Sequence, residues 1–215
     1  MHLFGRATSV NVQKVLWTLE ELGIAYERTD LGGAFGGLGT PDYVALNPNQ
    51  RVPTLVDGGL TLWESNAIVR YLVRSYGGGV FLGANPADTA RADMWMEWFQ
   101  NNCYTHFIAL FYQTVRLPTA ERSEKARDSA AAALTQSFAL LNTHLDDHTY
   151  VAGAEISMGD FVIGASLYRY FSMEFERADL PSLRAYYDRL RARDAYQKVI
   201  MTSYDSLRPK DGSSL

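Results

Sequence analysis

A chain of 215 residues with 47% hydrophobic and 20% charged residues has the apolar content to bury a sizeable core, which excludes a disordered chain. The formal net charge of −4 gives no general attraction to nucleic acid or to an anionic membrane surface, and a single cysteine excludes an intrachain disulfide framework or a cysteine-rich zinc site. The opening "MHLFGRATSVNVQK" lacks the apolar core of a secretory signal, and no run approaches the roughly 20 apolar residues of a membrane span. A cytoplasmic location is therefore expected, with no membrane partner.

In chain order, "HLF" predicts a short strand and "RATS" a polar loop. "VNVQKVLWTLEELG" predicts a helix, because Val12, Val15, Leu16, Leu19 and Leu22 recur at helical spacing before Gly23 stops it. "AYERTDL" alternates as a strand does. Five glycines between 32 and 39 predict a loose, mobile loop, and "PDYVALNP" can hold a short helix. "VPTLVDGGLTLWE" predicts two strands joined by a turn at Asp57-Gly58-Gly59, and "SNAIVRYLVRSYGGG" a helix that ends in glycines. The order is βαβαββα. One residue is out of place in it: Pro53 has no N–H to give a sheet ladder and belongs at an edge, a strand start, a bulge or a turn.

"GGGVFLGANPAD" reads as a linker, and beyond it the periodicity is helical: about 88–116, 123–146, 158–171, then shorter helices to about 203. The expected architecture is a small α/β domain, residues 1–77, followed by an all-helical domain, residues 86–215. The final "RPKDGSSL" is expected to fray.

His2, His106, His144 and His148 show no metal-ligand spacing, so no metal is expected. Cys103 lies among aromatics, where a thiol acts as apolar filler rather than as a nucleophile. "GGAFGGLG" lacks the Lys-Ser or Lys-Thr of a phosphate loop. What remains is polar residues at element junctions: Ser9 before the first helix, Glu64 and Ser65 before the helix that follows the hairpin. Either serine can be a helix cap. Two helix N-termini flanking a strand with an X-Pro bond can also receive an extended, anionic, peptide-like ligand that pairs with the Val52 backbone by strand addition.

At these residues the sequence resembles the glutathione transferase family. "SVNVQKVLWTLEELGIAYE", "NPNQRVPTLVDGGLTLWESNAIVRYL" and "SMGDFVIGASL" stand in the family's order and at its usual separations, nearly end to end. The resemblance implies a thioredoxin-like domain that binds glutathione as co-substrate, a helical domain with the pocket for a small hydrophobic electrophile, and a homodimer. It implies a cis bond before Pro53 that turns Val52 toward the cysteinyl unit. It further implies Gln50 near the glycine end, and Glu64, Ser65 and Asn66 around the γ-glutamyl end. Ser9 occupies the hydroxyl position of the serine-type, theta-like and delta-like classes, which makes it the expected donor to the thiolate. Asn11 and Thr8 are its neighbours in that role, and Asn11 stands where those classes often have proline.

In "RADMWMEWFQNNCYTHFIALFYQTVR" one stripe holds Met96, Phe99, Cys103, Phe107 and Leu110, and a second holds Tyr104, Ile108, Phe111 and Val115. Together they are too wide for one seam, so some face a pocket or a partner subunit; Tyr104, Phe107 and Phe111 are the candidates for the pocket, and this helix is the candidate for a dimer interface. "SMGD" at 157–160 fits a capping box, read as a folding device. Three functions fit: conjugation of glutathione to small apolar electrophiles; another glutathione-dependent reaction such as peroxide or disulfide reduction, dehalogenation or isomerisation; or a non-enzymatic binding module. Intact Ser9, Pro53, Glu64 and Ser65 argue against the last.

Overall fold

In a computed structural model that describes residues 1–209, strands β1 (His2–Phe4), β2 (Glu27–Thr29), β3 (Thr54–Asp57) and β4 (Leu60–Trp63) form one sheet in the order β2-β1-β3-β4. β1 runs parallel to β2 and antiparallel to β3, and the β3–β4 pair is an antiparallel hairpin. Helices α1 (Val10–Glu21), α2 (Pro41–Leu46) and α3 (Ser65–Tyr76) complete the βαβαββα order that the sequence predicts. Pro53 immediately precedes β3, where its missing N–H takes nothing from the ladder, and the Val52–Pro53 bond is cis. The expected fraying covers residues 208–215; Arg208 donates its backbone N–H to Asp205 O at 3.0 Å, and residues 210–215 lie outside the described residues.

The second half is helical: α4 (Pro86–Asn102), α5 (Tyr104–Phe111), α6 (Glu124–Leu145), α7 (Met158–Ser172), α8 (Pro181–Arg191) and α9 (Asp194–Val199). The single helix predicted over 88–116 is in fact broken at Cys103 (φ −117°, ψ −41°) and passes into a π-helical turn over Tyr112–Arg116. Two asparagines of modest helix propensity, Asn101 and Asn102, end α4. The break re-aims the chain, so that Phe107 and Leu110 enter the core while Tyr104, Ile108 and Phe111 face a groove.

α7 is the spine. It is buried over nearly its whole length and packs on α1 and α4, with Phe161 against Trp17 at 5.0 Å between ring centroids. Gly164 permits this approach, since a Cβ there would meet Trp17 Cζ3 at 2.8 Å. α1 is thereby enclosed by the sheet unit on one side and by α7 and α9 on the other, which is why its polar Gln13, Lys14 and Thr18 are also buried. At the start of α7 the Asp160 carboxylate accepts from Ser157 N (2.7 Å), Ser157 Oγ (2.8 Å), Val151 N (3.0 Å) and Tyr186 Oη (2.7 Å). The predicted capping box is thus one arm of a fully buried network. The expected linker is pinned to the same place: Met158 N donates to Phe81 O at 2.9 Å, and the Phe81 ring packs on Phe161.

Candidate active site

Two cavities, of about 390 Å³ and 350 Å³, meet where the C-terminal end of β1, the segment before β3 and the start of α5 converge. Asn11, Arg51, Val52 and Tyr104 line both and so mark the joint. The inner cavity is completed by Pro53, Glu64, Ser65 and Asn66, the outer one by Thr8, Ser9, Gln50 and Phe111. Residues from both halves of the chain, from Arg6 to Leu207, are thus gathered at one groove. Phe107 is the exception: it is fully buried in the core and lines neither cavity. It belongs to the inward stripe of Met96, Phe99, Cys103 and Leu110, all fully buried, whereas Tyr104, Ile108 and Phe111 of the second stripe supply the groove wall and its Val115 is buried.

Helix capping does not account for either serine. Ser9 holds the N-cap position of α1 with extended backbone (φ −90°, ψ 123°), yet its hydroxyl makes no cap bond. Ser65 is not a cap: it is the first helical residue of α3, after Glu64 at φ 70°, and its hydroxyl donates to Asn11 Oδ1 at 3.3 Å. Gln50 also has positive φ, at 53°. Two side-chain-bearing residues in the left-handed region on the rim of one groove are the kind of strain that collects at functional sites. Among the described residues the Val52 N–H and C=O have no hydrogen-bond partner, so the segment facing the groove offers a free backbone edge.

Asn11 ties the site together. Its Nδ2 donates to Tyr104 Oη at 2.9 Å while its Oδ1 accepts from Ser65, joining α1, α3 and α5. Burial pushes the Tyr104 phenol up, so it keeps its proton at neutral pH and that proton is uncommitted by the bond it accepts.

Three groups below and beside the groove escaped the sequence reading. Lys14 is fully buried, donates to Asn66 Oδ1 at 3.2 Å and lies over the Tyr104 ring at 5.1 Å. Burial lowers it to about 7, against the opposing pull of Glu64. Its signal was a lysine four residues after Val10 and four before Thr18 on a helix with two buried faces, unreadable without knowing that α7 covers the second face. Arg169 on α7 donates through Nη2 to Thr8 O (2.7 Å) and Gln13 Oε1 (3.2 Å), which clamps the β1–α1 loop from the helical side. Arg51 stands at the joint. Cys103 is buried away from the groove, its thiol pushed up to about 12, as filler rather than nucleophile. Among the described residues no three His, Cys, Asp or Glu side chains are grouped to hold a metal ion, and no helix is long and apolar enough to cross a membrane.

A family model described as "Glutathione S-transferase, N-terminal domain" matches residues 1–74, and "Glutathione S-transferase, C-terminal domain" matches residues 124–189. The chain is 38% identical over 201 residues to glutathione S-transferase GstB of Escherichia coli strain K12, covering 93% of this chain and 97% of that one. It is 30% identical to glutathione S-transferase 4 of Zea mays, over 92% of this chain and 90% of the maize protein. Among solved structures it resembles the theta class glutathione S-transferase of Xanthomonas axonopodis pv. citri with glutathione bound, at a TM-score of 0.91 and 44% identity over 94% of this chain and 97% of that chain. The groove, the sheet topology and these matches agree: the chain belongs to the glutathione transferase family, with a thioredoxin-like N-terminal unit and a helical C-terminal unit.

Proposed function

We propose that glutathione lies along the groove with its γ-glutamyl end in the inner cavity and its thiol at the joint, where it is activated to attack a small electrophile in the outer cavity. At the inner end Ser65, Asn66 and the first N–H groups of α3, beside the buried Lys14, favour a carboxylate, while Glu64 can take the ammonium group. The cysteinyl unit pairs with the open backbone of Val52 ahead of Pro53, and Gln50 serves the glycine end. Ser9 donates to the thiolate, assisted by Asn11. Tyr104 and Phe111 hold the electrophile against the thiol, and Phe107 has no part in this. The division of labour follows the domains proposed from sequence, residues 1–77 for glutathione and 86–215 for the second substrate.

The observation that carries the thiol assignment is the N-cap serine whose hydroxyl caps nothing and lines the cavity beside the joint. A hydrogen bond to a charged acceptor is worth roughly 1.5–3 kcal/mol, enough to lower a thiol of ordinary pKa near 8.5 by one to two units. The test compares Ser9→Ala, Asn11→Ala and Thr8→Ala by the ultraviolet absorbance of bound thiolate against pH. Ser9→Ala should move the titration up by at least one unit. A wild-type titration in Ser9→Ala, with an upward move in Asn11→Ala or Thr8→Ala, transfers the role to that neighbour.

A cytoplasmic homodimer is part of the same reading. Its support is the lone cysteine without a disulfide and the exposed Trp63 on β4 and Met94 on α4, apolar side chains that a second copy could cover.

A further inference from the structure

Among the described residues the outer cavity is lined by Arg6 from the β1–α1 loop, Arg51, Arg116 from the π-helical turn and Arg169 from α7, and by no aspartate or glutamate. None of the four forms an ion pair among the described residues. Arg169, 3% exposed, gives its Nη2 to two neutral acceptors and lies over the Phe111 ring at 4.9 Å. The buried Nε of Arg6 has no acceptor among the described residues. Arg6 lies across Gly32 and Gly33, where a Cβ on Gly33 would sit 3.2 Å from that Nε, so the glycine-rich loop makes room for this guanidinium.

The three outer arginines also feel one another. Burial and then Arg116 pull Arg6 down, while burial pulls Arg169 to about 10, with Arg6 and Arg116 adding to the effect. Like charges gathered around a cavity without a counter-charge among the described residues are unfavourable for folding and are offset by anions: the glycine carboxylate placed at Gln50 is one, and four guanidinium groups leave room for a second. Guanidinium groups suit a planar carboxylate, which they bind through paired N–H donors. The wall between them is apolar: Leu38, Ile108 and Phe111.

We infer that the second substrate is a small electrophile that carries a carboxylate, with Arg6 and Arg116 holding the acid group, Arg169 behind them, and the apolar body on Ile108 and Phe111. The inference rests on the conjugation reading above and narrows its substrate class from hydrophobic to acidic. With an aryl chloride, the thiol first loses its proton to water. The thiolate sulfur then bonds to the ring carbon, and chloride leaves with the electron pair of the broken C–Cl bond. The carboxylate takes no part in the bond changes and only positions the ring.

The experiment compares 4-chloro-3-nitrobenzoate with its neutral amide, 4-chloro-3-nitrobenzamide, using glutathione and the full chain, with each kcat/KM divided by the spontaneous rate. The wild type should favour the carboxylate at least tenfold. Arg6→Gln and Arg116→Gln should each cut that ratio severalfold, whatever happens to the absolute rates. A measurement that needs no variant stands beside it: 3-nitrobenzoate should inhibit turnover of the amide at least tenfold more strongly than 3-nitrobenzamide does. Turnover of the amide as fast as, or faster than, the carboxylate, or a ratio unchanged in both variants, overturns the acid site and leaves conjugation standing. Catalysis of neither compound, with glutathione bound, removes the conjugation reading and this inference with it.

Discussion

Lys14→Met should make the protein more stable at neutral pH while weakening its hold on glutathione. Among the described residues the fully buried side chain has one hydrogen bond, to Asn66, and no carboxylate in contact; Glu64 acts on it only at longer range. Its proton affinity falls from 10.5 in the unfolded chain to about 7 in the fold, with burial as the leading cause. Between those values the unfolded chain binds the extra proton, so stability rises with pH across that window, and the cost of the buried charge is fully present below pH 7. A depression of that size corresponds to a cost on the order of 5 kcal/mol at low pH, and the part recovered between pH 7 and pH 9 is about 2 kcal/mol. Methionine keeps the volume and removes the charge. Urea unfolding of both proteins at pH 6, 7, 8 and 9 isolates the effect, because every other titrating group is common to the two. The wild type should gain about 2 kcal/mol relative to Lys14→Met between pH 7 and pH 9. Parallel profiles would show that Lys14 does not titrate in this window and would remove the reasoning. Calorimetry on Lys14→Met should show weaker glutathione binding, since the positive charge beneath the start of α3 is gone.

Glu64→Ala with Ser65→Ala should raise the glutathione Kd at least tenfold by calorimetry, and an unchanged Kd would move the γ-glutamyl end elsewhere. Asp160→Ala leaves four donors without their acceptor and should cost about 3 kcal/mol or more in urea unfolding. Light scattering at micromolar concentration should give about twice the 24.1 kDa of one chain. Gly33→Ala, at φ +61° and against Arg6, should lower stability by about 1–2 kcal/mol in thermal or urea unfolding and reduce the preference for the carboxylate substrate.

The elements of the first third were legible because each has a clear apolar periodicity with its own punctuation: Gly23 after α1, Asp57-Gly58-Gly59 between β3 and β4, and the glycines after Tyr76. The break at Cys103 was not, because the apolar stripe runs through it without interruption and only tertiary packing decides which residues turn inward. The same ambiguity put Phe107 on the wrong side: its stripe was identified correctly, but periodicity gives two faces without saying which one meets a cavity. Local signals carried Ser9, Pro53, Glu64 and Ser65, since all sit at element junctions. Arg6, Arg116 and Arg169 had no such signal. They lie on three separate elements, each reads alone as an ordinary surface charge, and only the fold brings them to one wall.

Arg169 shows why stability and specificity cannot be separated at this wall. α7 is oriented at its start by the Asp160 network and along its length by Trp17 and Phe161, and roughly 13 Å further on it delivers Arg169 to the carbonyl of Thr8. Thr8 precedes Ser9, so the loop that presents the proposed thiol donor is fixed by a residue of the opposite structural unit. Gln13 closes the circuit, accepting from Arg169 and donating to Val199 O at 3.1 Å. Replacing Arg169 would therefore relieve a buried charge, release the loop and remove one cation from the outer cavity in a single step, and no one measurement could apportion the three effects. Among the described residues Arg6 and Arg116 make no side-chain hydrogen bond to the loop, unlike Arg169. Charge removed there relieves repulsion in the cavity but leaves the Thr8 carbonyl clamped, so the ratio of acid to amide turnover, which cancels a change in stability, reads out the acid site at those two positions.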